Sequence, residues 1–190
     1  MKNILNNRTS LFDGDDKLFK FYFKYCQLYS EYGVGKSTKW VLDNTNSNII
    51  AVDSDKEWID SINVNNYKSR IKFIWVNLGE LSKWGRPVSY KYRNKFTDYV
   101  KGVWNSNVKA DVVLIDGRFR VACFLNSLLN SKVNTFIIFD DYINRPWYHV
   151  VEEVLPMLKK NGRQGVFKVP STFNRNLAKQ LLRKFIYVFD

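Results

Sequence analysis

Apolar residues in this chain come in short runs, and the runs alternate with longer stretches in which apolar positions recur at helical spacing. Cys26 to Tyr32, Asn48 to Asp53, Ile71 to Val76, Asp111 to Ile115 and Thr135 to Phe139 have strand length, and the last two are almost continuously apolar, as a strand covered on both faces requires. Between them, Ser37 to Asn44, Lys56 to Val64, Thr97 to Val103 and Val121 to Leu129 read as helices. Strand and helix in alternation predict an α/β fold, a doubly wound and mostly parallel sheet with helices on both faces. Asp13 to Tyr25 predicts a helix within a lead-in over residues 1–26. Leu78 to Tyr92, with Gly79, Gly85 and Pro87, predicts a long loop. Val150 to Lys159 predicts a helix ending near Gly162, and Val166 to Val169 with Phe185 to Phe189 a C-terminal antiparallel strand pair.

Composition narrows the class. With 190 residues, 45% hydrophobic and 16% aromatic, the chain suits one domain over 1–190 with a single core. No apolar stretch reaches the roughly 20 residues that span a bilayer, and MKNILNNRTS is too short and polar for a secretory leader, so the expected location is cytoplasmic, with no membrane partner. Cys26 and Cys123 are the only cysteines and His149 the only histidine, which excludes a zinc site of sulfur and imidazole and predicts buried, reduced thiols. Lys and Arg exceed Asp and Glu by 30 − 18 = 12. That surplus attracts anionic partners. The basic residues are scattered rather than gathered into a tract, so nucleic acid is not favoured over a small, anionic acceptor, and the oligomeric state is open.

The densest chemistry lies in Tyr29 to Thr38, YSEYGVGKST, and in Asp53 at the end of the next apolar run. A chain that leaves a strand and turns at once into a helix needs backbone freedom and space for a ligand, and Gly33 and Gly35 supply both. The carboxyl end of a second strand lies beside the first, where Asp53, or its competitor Asp55, can accept from ribose hydroxyls. GVGKST also looks like the tail of a phosphate-binding loop, but the glycine required five residues before Gly35 is Ser30. A dinucleotide fingerprint fails as well, because its third glycine falls on Thr38.

The segment resembles motif I of the class I S-adenosylmethionine-dependent methyltransferases, apolar-E-x-G-x-G-x-S-T. VDSDKEWI (52–59), DVVLIDGRFRVA (111–122) and FIIFDDYINRPWY (136–148) follow in that family's order, so the resemblance covers roughly residues 10 to 158. It implies a Rossmann-like sheet and S-adenosylmethionine as cofactor. It places Glu31 near the methionyl end, Gly33 and Gly35 under the nucleoside, Asp53 on the ribose, Asn77 or Leu78 near adenine, and Asp116 at the same edge. A branched Cβ at Gly33 or Gly35 is expected to block the ligand and spare the fold. The implied activity is methyl transfer to an oxygen or nitrogen of a small or carbohydrate-like acceptor. The rival readings are a protein or partner subunit that binds the cofactor without turnover, and a nucleotide phosphotransferase using GVGKST.

Asp116, Asp140 and Asp141 each follow an apolar run directly and are expected to meet at the carboxyl edge, with Asp116 and Asp141 as catalytic candidates. This resembles the metal-dependent O-methyltransferases, in which such acids hold one divalent ion, with magnesium suited to hard oxygen ligands. DGRFR departs from their pattern, because Arg118 and Arg120 bring cations to that place. Magnesium is therefore not favoured, and the alternative is that these acids cap the next helix or pair with Arg118 and Arg145. Arg118, Arg145 and Tyr148 are the candidate acceptor-binding residues. His149 is a candidate base or a capping residue, and Trp147 and Tyr148 either stack on a substrate ring or, as expected, pack their segment onto the sheet.

Overall fold

The computed structural model describes residues 10–12, 15–104 and 107–189. The start of the expected lead-in, residues 1–9 and 13–14, lies outside them. The described part of that lead-in is helix α1 (Lys17–Tyr22) with a 3-10 turn at Phe23–Tyr25. Five parallel strands follow: β1 (Leu28–Tyr32), β2 (Asn48–Asp53), β3 (Ile71–Trp75), β6 (Val112–Ile115) and β7 (Phe136–Phe139). Between β3 and β6, β4 (Leu81–Ser82) and β5 (Arg86–Pro87) form a small separate hairpin. The remaining strands, β8 (Lys159–Asn161) and β9 (Gln164–Lys168), add an antiparallel pair, giving the sheet order β3-β2-β1-β6-β7-β9-β8. The fold is the doubly wound, Rossmann-like sheet that the alternation predicts.

Strand periodicity sorts the core into two layers. Tyr29, Ile49, Ala51, Val112, Leu114, Ile138 and Val166 face one side, where they pack with Phe19 of α1 and with Val41 and Leu42 of α2 (Lys36–Asn44). Their neighbours Tyr32, Val52, Val113, Ile115, Ile137, Phe139 and Phe167 face the other side. There they meet Tyr99 and Val100 of α4 (Phe96–Lys101), Phe124 and Leu128 of α5 (Arg120–Asn130), and Ala178 and Leu181 of α6 (Arg175–Phe185). Every side chain of β6 is buried, which explains its unbroken apolar sequence.

Two expectations near the C-terminus need correction. The antiparallel pair exists, but β9 pairs with β7 and with the polar strand β8, whereas residues 175–185 form α6 and 186–189 make no strand. Asn174 caps α6 through its side-chain oxygen, which accepts from the Leu177 N–H. The segment expected as a helix from Val150 is instead a 3-10 stretch, Pro146–Glu153, running into β8. Around Leu78 to Tyr92 the expected loop contains the β4–β5 hairpin, with α3 (Lys56–Ser61) close by. Ser54 Oγ donates to the Gly85 carbonyl at 2.8 Å and pins that hairpin over the end of β2.

Candidate active site

Strand order reverses between β1 and β6, and the crevice beyond their carboxyl ends is where such sheets take ligands. The two glycines of the β1 turn serve different needs there. Gly33 has φ +95°, and a Cβ on it would lie 2.8 Å from the Gly117 nitrogen and 2.9 Å from the Asp116 carbonyl. Gly117 mirrors it, since a Cβ there would reach 2.2 Å from the Tyr99 hydroxyl and 2.9 Å from the Gly33 nitrogen. These two glycines let the turns after β1 and β6 touch. A Cβ on Gly35, by contrast, would meet nothing within 4 Å, so open space, a candidate cradle, lies over Gly35 at the entry to α2. The expectation that branching either glycine spares the fold therefore fails for Gly33.

Glu31 is fully buried beneath this turn. Its carboxylate accepts from Thr38 Oγ1 at 2.5 Å, from Tyr29 OH at 2.8 Å and from Ser37 Oγ at 3.1 Å, while the Gly35 N–H donates to Thr38 Oγ1 at 3.0 Å. The chain Glu31, Thr38, Gly35 fixes the start of α2. Burial pushes the Glu31 carboxyl up to about 7 against the pull of those hydroxyls. This arrangement also consumes both hydroxyls of GVGKST, which a phosphate-binding loop would need for its metal and phosphates.

Asp53 ends β2 beside the cradle. Its Oδ2 accepts from the Val34 N–H at 2.7 Å and its Oδ1 from the Asp55 N–H at 2.8 Å. Burial is the main cause that lifts its carboxyl to about 6. A carboxylate offers about four acceptor positions, so Asp53 can hold the turn and still accept from a ribose. The rival Asp55 is committed elsewhere, capping α3 through the Glu57 N–H at 2.9 Å. Of the adenine candidates, Asn77 accepts from the Gly79 N–H in an exposed turn. Leu78 is a core side chain, so only its backbone can border the crevice. Glycine turn, open cradle and strand-end acid together fit a nucleoside cofactor.

On the other side of the switch point, the three acids do meet: Asp116, Asp140 and Asp141 bring oxygens within 4.8 Å of one another. Arginines fill the space around them. Arg120 Nη2 lies 3.2 Å from Asp116 Oδ1 and its Nη1 3.1 Å from Asp141 Oδ2, with further bonds to the Gly117 and Asp140 carbonyls at 2.9 and 2.8 Å. Arg145 Nη2 adds 2.8 Å to Asp141 Oδ2. Arg163 reaches in from the β8–β9 turn, grips Asp140 with Nε at 3.1 Å and Nη2 at 2.5 Å, and touches Asp141 Oδ1 at 3.2 Å. Gln164 donates to Asp140 Oδ1 at 3.0 Å. Asp141 adopts the left-handed region, φ +56°, which aspartate tolerates and which turns its carboxylate toward these cations.

Asp116 stands apart because its side chain keeps 29% exposure. Burial of the site and the neighbouring Asp140 charge hold its carboxyl well above the usual carboxylate range. The acceptor-side candidates divide. Arg145 is at the rim, 32% exposed, with Nη1 donating to the Tyr148 hydroxyl at 3.0 Å. Tyr148 is buried against the Phe139 ring and faces the core. Arg118 is buried too, its N–H donating to the Tyr99 hydroxyl at 3.1 Å. His149 Nε2 lies 3.0 Å from the Tyr142 carbonyl and its ring packs on Tyr142, a bridging rather than a base-like setting. Trp147, expected to pack, is 62% exposed instead. Sequence reasoning missed Arg163 as a site residue altogether.

Among the described residues no helix is long and apolar enough to cross a membrane, and both cysteines are buried thiols. No protein-family model and no curated protein match the sequence. The structure, however, is similar to that of a methyltransferase-like protein from Silicibacter pomeroyi, with 29% identity, a TM-score of 0.77, and coverage of 89% of this chain and 92% of that one. At the level of fold alone it is similar to the MycE methyltransferase of the mycinamycin biosynthetic pathway, solved in complex with Mg and SAH (13% identity, TM-score 0.51, 82% of this chain and 44% of that one). A third likeness of fold is an O-methyltransferase family protein from Burkholderia thailandensis (13% identity, TM-score 0.50, 79% of this chain and 53% of that one). With its motif order and strand order, the chain is similar to the class I, Rossmann-like S-adenosylmethionine-dependent methyltransferases.

Proposed function

We propose that this protein transfers a methyl group from S-adenosylmethionine to an oxygen or nitrogen of a small or carbohydrate-like acceptor that carries an anionic group. The observation that carries the reading is the open cradle over Gly35 beside the buried carboxylate of Asp53, at the crevice where the strand order reverses. In this reading the Gly33 to Gly35 backbone forms the nucleoside floor, Asp53 accepts from the ribose, and the Asn77–Leu78 backbone borders adenine. Glu31 acts one layer below by fixing the turn, rather than at the methionyl end.

The cofactor, when bound, supplies a sulfonium methyl that is already electrophilic, so the chain has mainly to align the acceptor and exclude water. Asp116 lies at the same edge and is the partly exposed acid of the trio. Its raised pKa suits it to take the proton from the acceptor oxygen or nitrogen at its carboxylate. Asp141, bonded to three arginines, serves as a positioning group. Arg145 and the exposed Trp147 form the acceptor-facing rim. Arg118 and Tyr148 support that rim from within.

Ligand-induced melting shifts test the reading and separate its rivals. S-adenosylmethionine and S-adenosylhomocysteine should stabilise the fold by about 2.7 kcal/mol at a hundredfold excess over Kd, while ATP with magnesium should leave it unmoved. Stabilisation by ATP alone would favour the phosphotransferase. Cofactor binding without methyl transfer to any small acceptor would favour the non-catalytic reading.

A further inference from the structure

The acid trio has the donor chemistry of a divalent metal site, with hard oxygens from three carboxylates within 4.8 Å. What surrounds it does not fit a metal. Five of the six carboxylate oxygens are already engaged: Asp116 Oδ1 by Arg120, both Asp140 oxygens by Arg163, and both Asp141 oxygens by Arg120, Arg145 and Arg163. Three carboxyl groups face three guanidinium groups, so each acid already has a cationic partner.

The arrangement is built into the fold. Asp116 with Arg120 and Asp141 with Arg145 share one spacing, an acid that ends a strand and an arginine four residues on, which returns the guanidinium over the strand end. Arg163 comes from an unrelated element, the β8–β9 turn, and its forked contact with Asp140 has the geometry that arginine forms with carboxylates. Arg120 is moreover locked by backbone carbonyls of both strand ends, so it cannot swing aside for an ion. A dication entering here would have to displace fixed cations from the ligands it needs.

We propose that Arg120, Arg145 and Arg163 take the place of a divalent ion, occupying the oxygens of the strand-end acids and closing them to metal, so that this site works with guanidinium groups where metal-dependent methyltransferases use magnesium. The inference concerns the same edge as the methyl-transfer reading but stands without it, because metal binding is measured on the protein alone. A metal bound by these acids would have to compete with the arginines, and removing Arg145 and Arg163 frees both Asp140 oxygens and Asp141 Oδ1 from guanidinium contact while Arg120 stays in place, which should open the site in part.

The test is titration of the purified full chain with MnCl2 and MgCl2, followed by calorimetry and, for manganese, by the loss of its free-ion resonance signal. The wild type should bind neither ion at millimolar concentration, and chelator should leave its melting temperature unchanged. The Arg145→Gln, Arg163→Gln double variant should gain manganese binding of at least about tenfold over wild type, and adding Asp141→Asn should abolish the gain. Should the double variant not fold, Arg145→Gln alone, at the exposed rim, should show the same gain in smaller measure. Wild-type binding that is lost in Asp141→Asn would overturn the proposal. So would folded rim variants that remain as closed to manganese as the wild type.

Discussion

Two acidic groups end strands on opposite sides of the switch point, and their partners differ in kind. Asp53, at the end of β2, is held by backbone N–H groups of Val34 and Asp55, and beside it lies the cradle over Gly35. Asp140 and Asp141, at the end of β7, are held by arginine side chains that fill the space in front of them. A backbone N–H satisfies a carboxylate while occupying almost no volume. A guanidinium satisfies it by becoming the occupant. The same motif, an apolar run ending in an acid, thus leaves open space on one side and a closed ionic plug on the other.

The largest effect should come from the plug. Arg120→Leu leaves Asp116 and Asp141 short of a partner in a buried setting, and breaking such a network costs about 3–5 kcal/mol. Denaturant unfolding should show that loss. A cost under about 1 kcal/mol would mean that the network is incidental.

Next in size is the contrast between the glycines. Gly33→Ala introduces a Cβ into backbone at 2.8–2.9 Å with a positive φ, and should cost about 3 kcal/mol of stability. Gly35→Ala, facing open space, should stay within about 0.5 kcal/mol. Equal costs at the two positions would erase the distinction between a structural and a ligand-facing glycine.

Asp53→Ala should then weaken S-adenosylhomocysteine binding by about 1.5–3 kcal/mol, the range for hydrogen bonds to a charged group, with Asp55→Ala near neutral for affinity. Titration calorimetry on both variants distinguishes them. An effect confined to Asp55 would move the ribose role two residues along.

The smallest effect is on the pH profile. Glu31, pushed up to about 7, and Asp53, to about 6, bind their protons more tightly folded than unfolded. Their contribution to stability is therefore complete below the ordinary carboxyl range and is lost as pH rises through about 6 to 7. The melting temperature should fall from pH 5 to pH 8 at constant ionic strength, and Glu31→Gln should flatten that fall. A wild-type melting temperature that rises over this window would contradict the burial argument.

Much of the turn around Gly33 and Gly35 was legible because its signals are local. An acid, two glycines and a helix start lie within ten residues, and Asp53 announces itself at the end of an apolar run. Even the burial of Glu31 follows from strand alternation, since Tyr29 and Glu31 share the face that α2 covers. The plug was only half legible. Asp116 with Arg120 and Asp141 with Arg145 are local pairs, but Arg163 arrives through a hairpin more than twenty residues from its partner Asp140, and nothing in the sequence around it carries that contact. β8, a polar edge strand of sequence KKN, has no apolar alternation to read. α6 did carry a signal, the Asn174 cap followed by Leu177, Ala178, Leu181, Leu182 and Phe185, but the aromatic tail after it imitates a strand.

The account rests on the cradle over Gly35 as the cofactor pocket, and titration calorimetry of S-adenosylhomocysteine into the wild type and Gly35→Val tests it most directly. The wild type should bind at one site per chain. Gly35→Val should keep its circular dichroism and lose at least about tenfold in affinity, because the added side chain occupies the open space over Gly35. A wild type that gives no binding heat and no melting shift, or a folded Gly35→Val that binds as tightly as the wild type, would contradict the assignment.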